Sequence, residues 1–458
     1  MPLGTLTLLL LTAATAAPAR AEPPAKVIER AKSCVVGIER TTLLPINGEK
    51  AGRARATGFI ADLKAGIVAT NRHVTGTSPA RYKVSFRDGS TATARLLYYD
   101  PFDDFAFLKV STAAFGPGLS QAVFAAQGLL AEGSEVFLVG SNEGYEYSVK
   151  TGRVVNLAVH KPPRHTLEIQ TSFDRTGGSS GSPVFDGKGR VVALHSLGSD
   201  TSSFEIPAAY LQDALYMLRS GRQPKRGEPW FKAKPVRLQE ALKELKLPPE
   251  AAGRILRARP GTKRLLMVEK ALPPSGLRTG DVIITAGGAP VGDDSYLLDK
   301  ILDGAAGGEA ELEVLRAGKL LTVKTAVADA QALKVTRFLV FSGGVFEPVT
   351  PELRLETGAG GAGAVMLRAE RGSPLYRPKS GRLLFTELNG APIPDLAAFE
   401  KAALAARDGS TVRYVALGLD GRDRSPAAGW FTADLKFWPL KAYAWSQAAL
   451  DWEVTPLP

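Results

Sequence analysis

Between Val35 and Pro207 the sequence breaks into about a dozen short β-type runs, and no apolar period of helical spacing in that span is long enough to make a core helix. The runs include residues 35–39, 57–62, 66–70, 83–86, 92–98, 105–110, 135–140, 147–155, 166–171, 191–195 and 204–207, with Gly, Pro, Asn or Asp in most gaps. Strands this short cannot each bury a face alone, so the span predicts a sandwich or a pair of β-barrels. The first clear helical period is residues 208–219, where Leu211, Leu215 and Leu218 share a face with Ala214 and Gly221 supplies the stop. A helix after so many strands marks the end of this first unit, residues 27–222.

A chain of 458 residues is too long for one core, and 45% hydrophobic with 22% charged residues is the composition of a globular protein. Residues 3–17 form an apolar run ended by Pro18 and followed by Ala19-Arg20-Ala21. That pattern reads as a secretory signal over 1–21, too short for a transmembrane helix, and implies a periplasmic or extracellular protein; an uncleaved anchor is the alternative. Cys34 is the only cysteine, so the fold has no internal disulfide, and its place before Val35-Val36 reads as a small buried apolar group. The formal charge is +11, with basic residues scattered among acidic ones except between Arg219 and Arg237. That stretch has little aromatic interleaving, which argues against nucleic-acid binding, and residues 223–235 read as a solvated basic linker or a crossing strand.

A repeat follows. Gly288-Ala289-Pro290-Val291 recurs 102 positions later as Gly390-Ala391-Pro392-Ile393. Each copy follows a short strand, precedes a helix and runs into a strand pair about a Gly turn, at Gly318 and Gly421. Two tandem α+β modules are predicted, residues 236–330 and 331–436, with 437–458 as a C-terminal tail.

Thr176-Gly177-Gly178-Ser179-Ser180-Gly181-Ser182 is either a solvated connector or a tight active-site loop. Glycines at 178 and 181 allow a sharp turn that brings two N–H groups to bear on one point beside a serine hydroxyl. A nucleophilic serine needs a base, and that base needs an acceptor to fix its tautomer. Of the four histidines, His160 and His165 flank a Lys-Pro-Pro-Arg turn and read as exposed, whereas His73 follows a β-run whose end would present it to a cleft. Asp104 abuts an apolar run and suits a carboxylate buried beside an imidazole; Asp100 and Asp103 read as solvated turn residues. The order His73, Asp104, Ser180 is that of the chymotrypsin-type fold, and the spacing allows the first two to come from one barrel and the serine from the second.

Four segments together resemble the HtrA/DegP serine proteases: residues 56–60 (Ala-Thr-Gly-Phe-Ile), 70–74 (Thr-Asn-Arg-His-Val), 100–107 around Asp104, and 178–184. The loop Gly-Gly-Ser-Ser-Gly-Ser-Pro-Val is most similar to the plant and fungal large-chain branch, as are Arg226-Gly227, residues 245–247 and Trp438-Pro439. The resemblance implies a mainly β fold, a chymotrypsin-like double barrel followed by two PDZ-like α+β modules. It implies Ser180 as nucleophile, His73 as general base then acid, Asp104 as orienting carboxylate, and the N–H groups of Gly178 and Ser180 as the oxyanion hole. Ser179 departs from the Asn most family members carry there but matches the large-chain branch. No metal or cofactor is implied; unfolded polypeptides are the implied substrates, C-terminal peptides the ligands of the PDZ-like modules, and a homotrimer the assembly.

Specificity stays open. His195, 15 residues after Ser180, falls where a primary-pocket wall would be, with Asp174 and Arg175 near its base. The loop and His195 also resemble bacterial glutamyl endopeptidases, which would favour acidic side chains; the HtrA likeness favours small apolar ones. Alternatively, His195 forms hydrogen bonds inside the barrel, or Asp174 cancels Arg175. Gly343-Gly344-Val345-Phe346 is either a peptide-carboxylate loop or the plain start of a strand. Two other functional readings stand beside the quality-control protease: a holdase or scaffold with a dormant protease domain, and a narrow processing protease.

Overall fold

The computed structural model describes residues 23–458 apart from 47–48, 143–144, 162–165, 175–176, 199–201, 359–360, 378–380 and 421–424. The expected signal, His165 and Arg175 lie outside the described residues, as does the side chain of His160.

Among the described residues, twelve strands precede the first long helix: β1 (Val35–Thr42), β2 (Gly52–Asp62), β3 (Ile67–Thr70), β4 (Ala80–Ser85), β5 (Thr91–Tyr99), β6 (Ala106–Val110), β7 (Glu135–Asn142), β8 (Tyr145–Lys161), β9 (Thr166–Thr171), β10 (Pro183–Asp186), β11 (Val191–Gly198) and β12 (Ser203–Pro207). They close into two barrels, in the orders β1-β2-β3-β6-β5-β4 and β10-β11-β12-β9-β8-β7. Because successive side chains on a strand point to opposite faces, each strand feeds two cores. Val68 lies in one apolar cluster with Val36, Ile60, Val84 and Leu108, while its neighbours Ile67 and Ala69 lie in another. In the second barrel Val136 and Leu138 join Val154 and Val184, and Phe137 turns the other way. The shared cluster holds Phe59, Phe107, Phe137, Phe185 and Leu194, closed by Leu211 and Leu215 of the helix Ala208–Arg219. It welds the barrels along the cleft in which the candidate site lies. Cys34 is in the same cluster, 2% exposed, and burial pushes its thiol up to about 12, as befits a small apolar group rather than a reactive one.

The stretch read as a solvated linker is structured. Gly227–Glu228 (β13) and Phe231–Arg237 (β14) are strands of the first module, which continues through β15 (Arg264–Ala271), β16 (Val282–Ala286), β17 (Ala289–Pro290), β18 (Gly308–Arg316) and β19 (Lys319–Asp329). The strand order is β13-β19-β18-β16-β15-β14, with β17 against β16.

Arg226, just before β13, is 5% exposed, and Asp100 and Asp103, expected in solvent, are 0% and 4% exposed. The Arg226 guanidinium donates to Asp100 Oδ2, to Asp103 Oδ2 through two nitrogens at 3.1 Å each, and to Asp303 Oδ1 at 3.3 Å, with Asp299 at 3.9 Å. The first two carboxylates come from the loop before β6 and the last two from the module's helix Ser295–Gly304. A guanidinium offers several donors in a fixed fork, so one side chain joins barrel to module. Tyr98 and Tyr210 donate to Asp100 and Asp299 at 2.9 Å each.

Of the carboxylates about this guanidinium, burial pushes Asp103 well above the usual carboxylate range despite Arg226. Burial, with the charges of Asp299 and Asp100, raises the Asp303 carboxyl to about 7 despite Arg226. A carboxyl raised above its unfolded value, about 3.9, gives stability that is full below that value and is lost as pH rises through about 7. Burial lowers the Lys334 amine to about 7, which acts in the opposite sense. The contrast with Asp303→Asn therefore isolates the carboxyl. Between pH 5 and 8 the unfolding temperature of the native protein is expected to fall relative to that of the variant by a few degrees, about what 1–2 kcal/mol produces. Parallel melting curves would remove the assignment.

The second module comprises β20 (Arg337–Phe341), β21 (Gly344–Pro348), β22 (Ala364–Ala369), β23 (Leu383–Leu388), β24 (Ala391–Pro392), β25 (Thr411–Gly418), β26 (Ala427–Thr432), β27 (Lys441–Ser446) and β28 (Asp451–Pro456). Its order is β26-β25-β23-β22-β21-β20-β27-β28, with β24 against β23. The repeat is visible here: β16 and β17 correspond to β23 and β24, and the helices Ser295–Gly304 and Leu396–Leu404 follow in the same place. One difference matters. β14 ends its sheet, whereas β21, its counterpart, is paired by β20 in the register Leu339↔Phe346 and Phe341↔Gly344. Ser342 and Gly343, at φ 46 and 77, make the two-residue hairpin turn. The stretch from Gly343 to Phe346 is thus a hairpin and strand start. Residues 437–458 are not a loose tail either, since β27 pairs β20, and Trp452 Nε1 donates to the Thr77 carbonyl at 3.2 Å.

Candidate active site

β3 ends at Thr70 and the chain turns at once into the short helix Arg72–Thr75, which carries His73. The two side chains just before His73 fix this turn to the loop that carries Asp104. Asn71 Nδ2 donates to the Asp104 carbonyl at 2.8 Å, and Arg72 Nη1 donates to the carbonyls of Asp100 and Pro101 at 2.9 and 2.7 Å. Asp104 Oδ1 accepts the His73 backbone N–H at 2.8 Å, and Oδ2 lies 2.6 Å from His73 Nδ1. Burial would raise the Asp104 carboxyl, but the bonds to His73 and Ser196 and the charge of the imidazole hold it below the usual range. An ionised carboxylate only accepts, so the neutral ring carries its proton on Nδ1 and leaves Nε2 as a base. The His73 side chain is 42% exposed, within reach of a substrate.

Ser196 supplies a further bond, Oγ to Asp104 Oδ2 at 2.7 Å. Nothing in its sequence surroundings marks it beyond its place after His195; only the barrel-to-barrel packing brings it to Asp104.

Ser180 comes from the second barrel, on the turn before β10. The turn is closed by Ser182 N–H to the Ser179 carbonyl at 3.0 Å, and Gly178 and Gly181 take φ 90 and 84. A Cβ on Gly181 would stand 2.0 Å from the Thr57 carbonyl oxygen and 2.3 Å from Thr70 Oγ1, so both space and backbone demand glycine there. Thr57 of the first barrel pins the turn from across the cleft. Its N–H donates to the Ser180 carbonyl and its hydroxyl to the Gly178 carbonyl, each at 2.9 Å. Those bonds aim two carbonyls away from the site. The N–H groups of Gly178 and Ser180 make no hydrogen bond to another described residue. Ser180 Oγ rests 3.4 Å from the Ser196 carbonyl.

A family model for a trypsin-like peptidase domain matches residues 56–194, and one for a PDZ domain matches residues 257–327. The chain thus carries a trypsin-like peptidase domain followed by a PDZ domain, and it is similar to HtrA-type serine proteases. Curated relatives include "Pro-apoptotic serine protease NMA111" of Eremothecium gossypii, 29% identical over 84% of this chain and 41% of its own length. Another is "Protease Do-like 7" of Arabidopsis thaliana, 29% identical over 72% of this chain and 32% of its own. The chain thus spans about two fifths or less of these relatives. Among solved structures, "HtrA-type protease AlgW with tripeptide" aligns with a TM-score of 0.50 at 21% identity, covering 66% of this chain and 96% of that one, a likeness of fold.

The residues proposed for specificity separate. Asp174 is exposed. His195 is 3% exposed, with Nε2 3.1 Å from Ser179 Oγ and Nδ1 2.9 Å from Glu205 Oε2. Neither ring nitrogen is left for a substrate side chain, which is the internal hydrogen-bonding alternative for His195. Glu205, 0% exposed, was not singled out in the sequence. Its place two residues before Pro207, in a β-type run that should point apolar groups inward, was the available signal.

Proposed function

We propose that the chain is a serine endopeptidase that hydrolyses peptide bonds of unfolded polypeptides through an acyl-enzyme, and that it acts as an exported quality-control protease, as its apolar leader-like run implies. The observation that carries the reading is the Asp104–His73 pair facing a glycine-bounded Ser180 turn whose two N–H groups are free of other described residues. His73 Nε2 takes the Ser180 proton as Oγ attacks the scissile carbonyl, the Gly178 and Ser180 N–H groups hold the oxyanion, and His73 returns the proton to the leaving amine. Water then attacks the ester by the same route. For peptide capture by strand addition, the first module's sheet order ends at β14, whereas in the second β20 already pairs the counterpart β21.

A fluorophosphonate probe tests the reading. One adduct on Ser180, mapped by mass spectrometry, together with cleavage of a reduced and alkylated protein in preference to its native form, is the expected result. An unmodified Ser180, with and without unfolded polypeptide present, overturns it and leaves the binding-only alternative.

A further inference from the structure

A second serine, histidine and carboxylate lie directly beneath the first set. Thr171 Oγ1 donates to Glu205 Oε1 at 2.6 Å, Glu205 Oε2 meets His195 Nδ1 at 2.9 Å, and His195 Nε2 meets Ser179 Oγ at 3.1 Å. All four residues are at most 3% exposed. Ser179 at 2% is closed to any substrate carbonyl, so the arrangement is not a second nucleophilic centre. A buried polar chain of this kind is costly unless each group is bonded to the next, and here each is. Its far end, Ser179, stands between the two residues whose N–H groups are the proposed oxyanion donors, Gly178 and Ser180.

The main chain of His195 grips the same turn. Its N–H donates to the Ser182 carbonyl at 2.9 Å and its carbonyl accepts the Gly181 N–H at 3.0 Å. One residue therefore holds Ser179, Gly181 and Ser182, three positions of the turn around Ser180. Neighbouring side chains on a strand point to opposite faces. On β11, His195 points down to the oxyanion turn and Ser196 points across the cleft to Asp104.

We infer that His195, oriented by Glu205, is a positioning residue that sets the oxyanion turn through Ser179 in the peptidase proposed above. The proton on Nδ1 goes to the Glu205 carboxylate, and the Ser179 hydroxyl then donates to Nε2. Ser179 is thereby held in one rotamer, and the Gly178 and Ser180 N–H groups on either side are held convergent. The inference rests on the peptidase reading for its kinetic consequence but not for its structural one.

Ser179→Ala removes the side-chain contact and leaves the buried His195–Glu205 pair in place. The expected result is a kcat lower by about 10- to 100-fold with KM unchanged, the cost of an oxyanion donor displaced by a fraction of an ångström to an ångström. His195→Gln, which keeps a polar group able to reach Ser179, is expected to retain more activity than His195→Leu, which fills the space without one. Hydrogen exchange gives a readout independent of catalysis: the Gly181 amide and its neighbours in Ser179→Ala and His195→Leu are expected to exchange at least tenfold faster, with β1–β6 unchanged. If the native enzyme turns over substrate and Ser179→Ala keeps its kcat and exchange pattern, the inference is wrong. Native protein without activity, in which the variants still speed exchange at the turn, would instead sink the peptidase reading while keeping the positioning role. Equal losses in His195→Gln and His195→Leu, with exchange faster throughout both barrels, would reduce His195 to a packing residue and overturn the inference as well.

Discussion

Ser180→Ala is expected to lower kcat for peptide-bond hydrolysis by about 10⁶-fold, with KM for an unfolded polypeptide and the unfolding midpoint little changed. The nucleophile is the one group whose loss removes the acyl-enzyme route altogether. What remains is the oxyanion site acting on bound substrate, and catalysis of roughly 10³–10⁴-fold over water. Stability is spared because Ser180 Oγ makes a single long bond, 3.4 Å to the Ser196 carbonyl, and alanine keeps the backbone bonds from Thr57. His73→Ala on top of Ser180→Ala is expected to cost nothing further, since the two act as one device. Asp104→Asn should fall short of the serine variant, at about 10⁴-fold. With its one oxygen accepting the His73 backbone N–H, its amide nitrogen donates to Nδ1 and favours the tautomer with the proton on Nε2. Burst and steady-state kinetics on a fluorogenic peptide check the ranking; a serine variant within tenfold of the native enzyme would dismiss the assignment of Ser180.

The parts of the site that could be read from the sequence are those whose chemistry is local. Gly178 and Gly181 announce a turn because no other residue adopts that backbone so readily, and His73 and Asp104 each sit at the end of an apolar run that had to be a strand. The double barrel followed from the density of short strands for the same reason. What the sequence concealed depends on partners far along the chain. Asp100 and Asp103 carry the signature of a solvated turn, and only Arg226, 126 and 123 positions later, makes their burial tolerable. The basic, proline-containing stretch around Arg226 resembles a linker until those carboxylates are placed against it. β27 and β28 make a hairpin of their own, and what turns the expected tail into part of the module is the pairing of β27 with β20, far upstream in the chain. Ser196 and Glu205 were missed on similar grounds, each meaningful only against Asp104 or His195.

Arg226→Ala is expected to destabilise the protein by about 3–5 kcal/mol, the usual cost of removing one partner from a buried ionic group. Four carboxylates would face one another, Asp100 and Asp103 from the barrel and Asp299 and Asp303 from the module, with the guanidinium gone. The Phe102 and Tyr210 rings packed 5.0 and 5.6 Å from its centre would lose their contact too. The harm reaches the active site along a short path, since Asp100 Oδ1 accepts the N–H groups of Phe102 and Asp103 at 2.9 and 2.8 Å and the carbonyls of Asp100 and Pro101 hold Arg72 beside His73. Activity should therefore fall by more than the unfolded fraction accounts for. The decisive comparison adds Asp100→Asn and Asp103→Asn to an Arg226→Met background. If uncompensated charge is what costs stability, the combined variant recovers much of the loss, because neutral groups leave little repulsion to relieve. A double-mutant cycle on chemical unfolding measures this as a coupling of 1–3 kcal/mol between Arg226 and the two barrel carboxylates. Additive losses would mean that Arg226 contributes by packing alone, and the module would then be docked by shape rather than by charge.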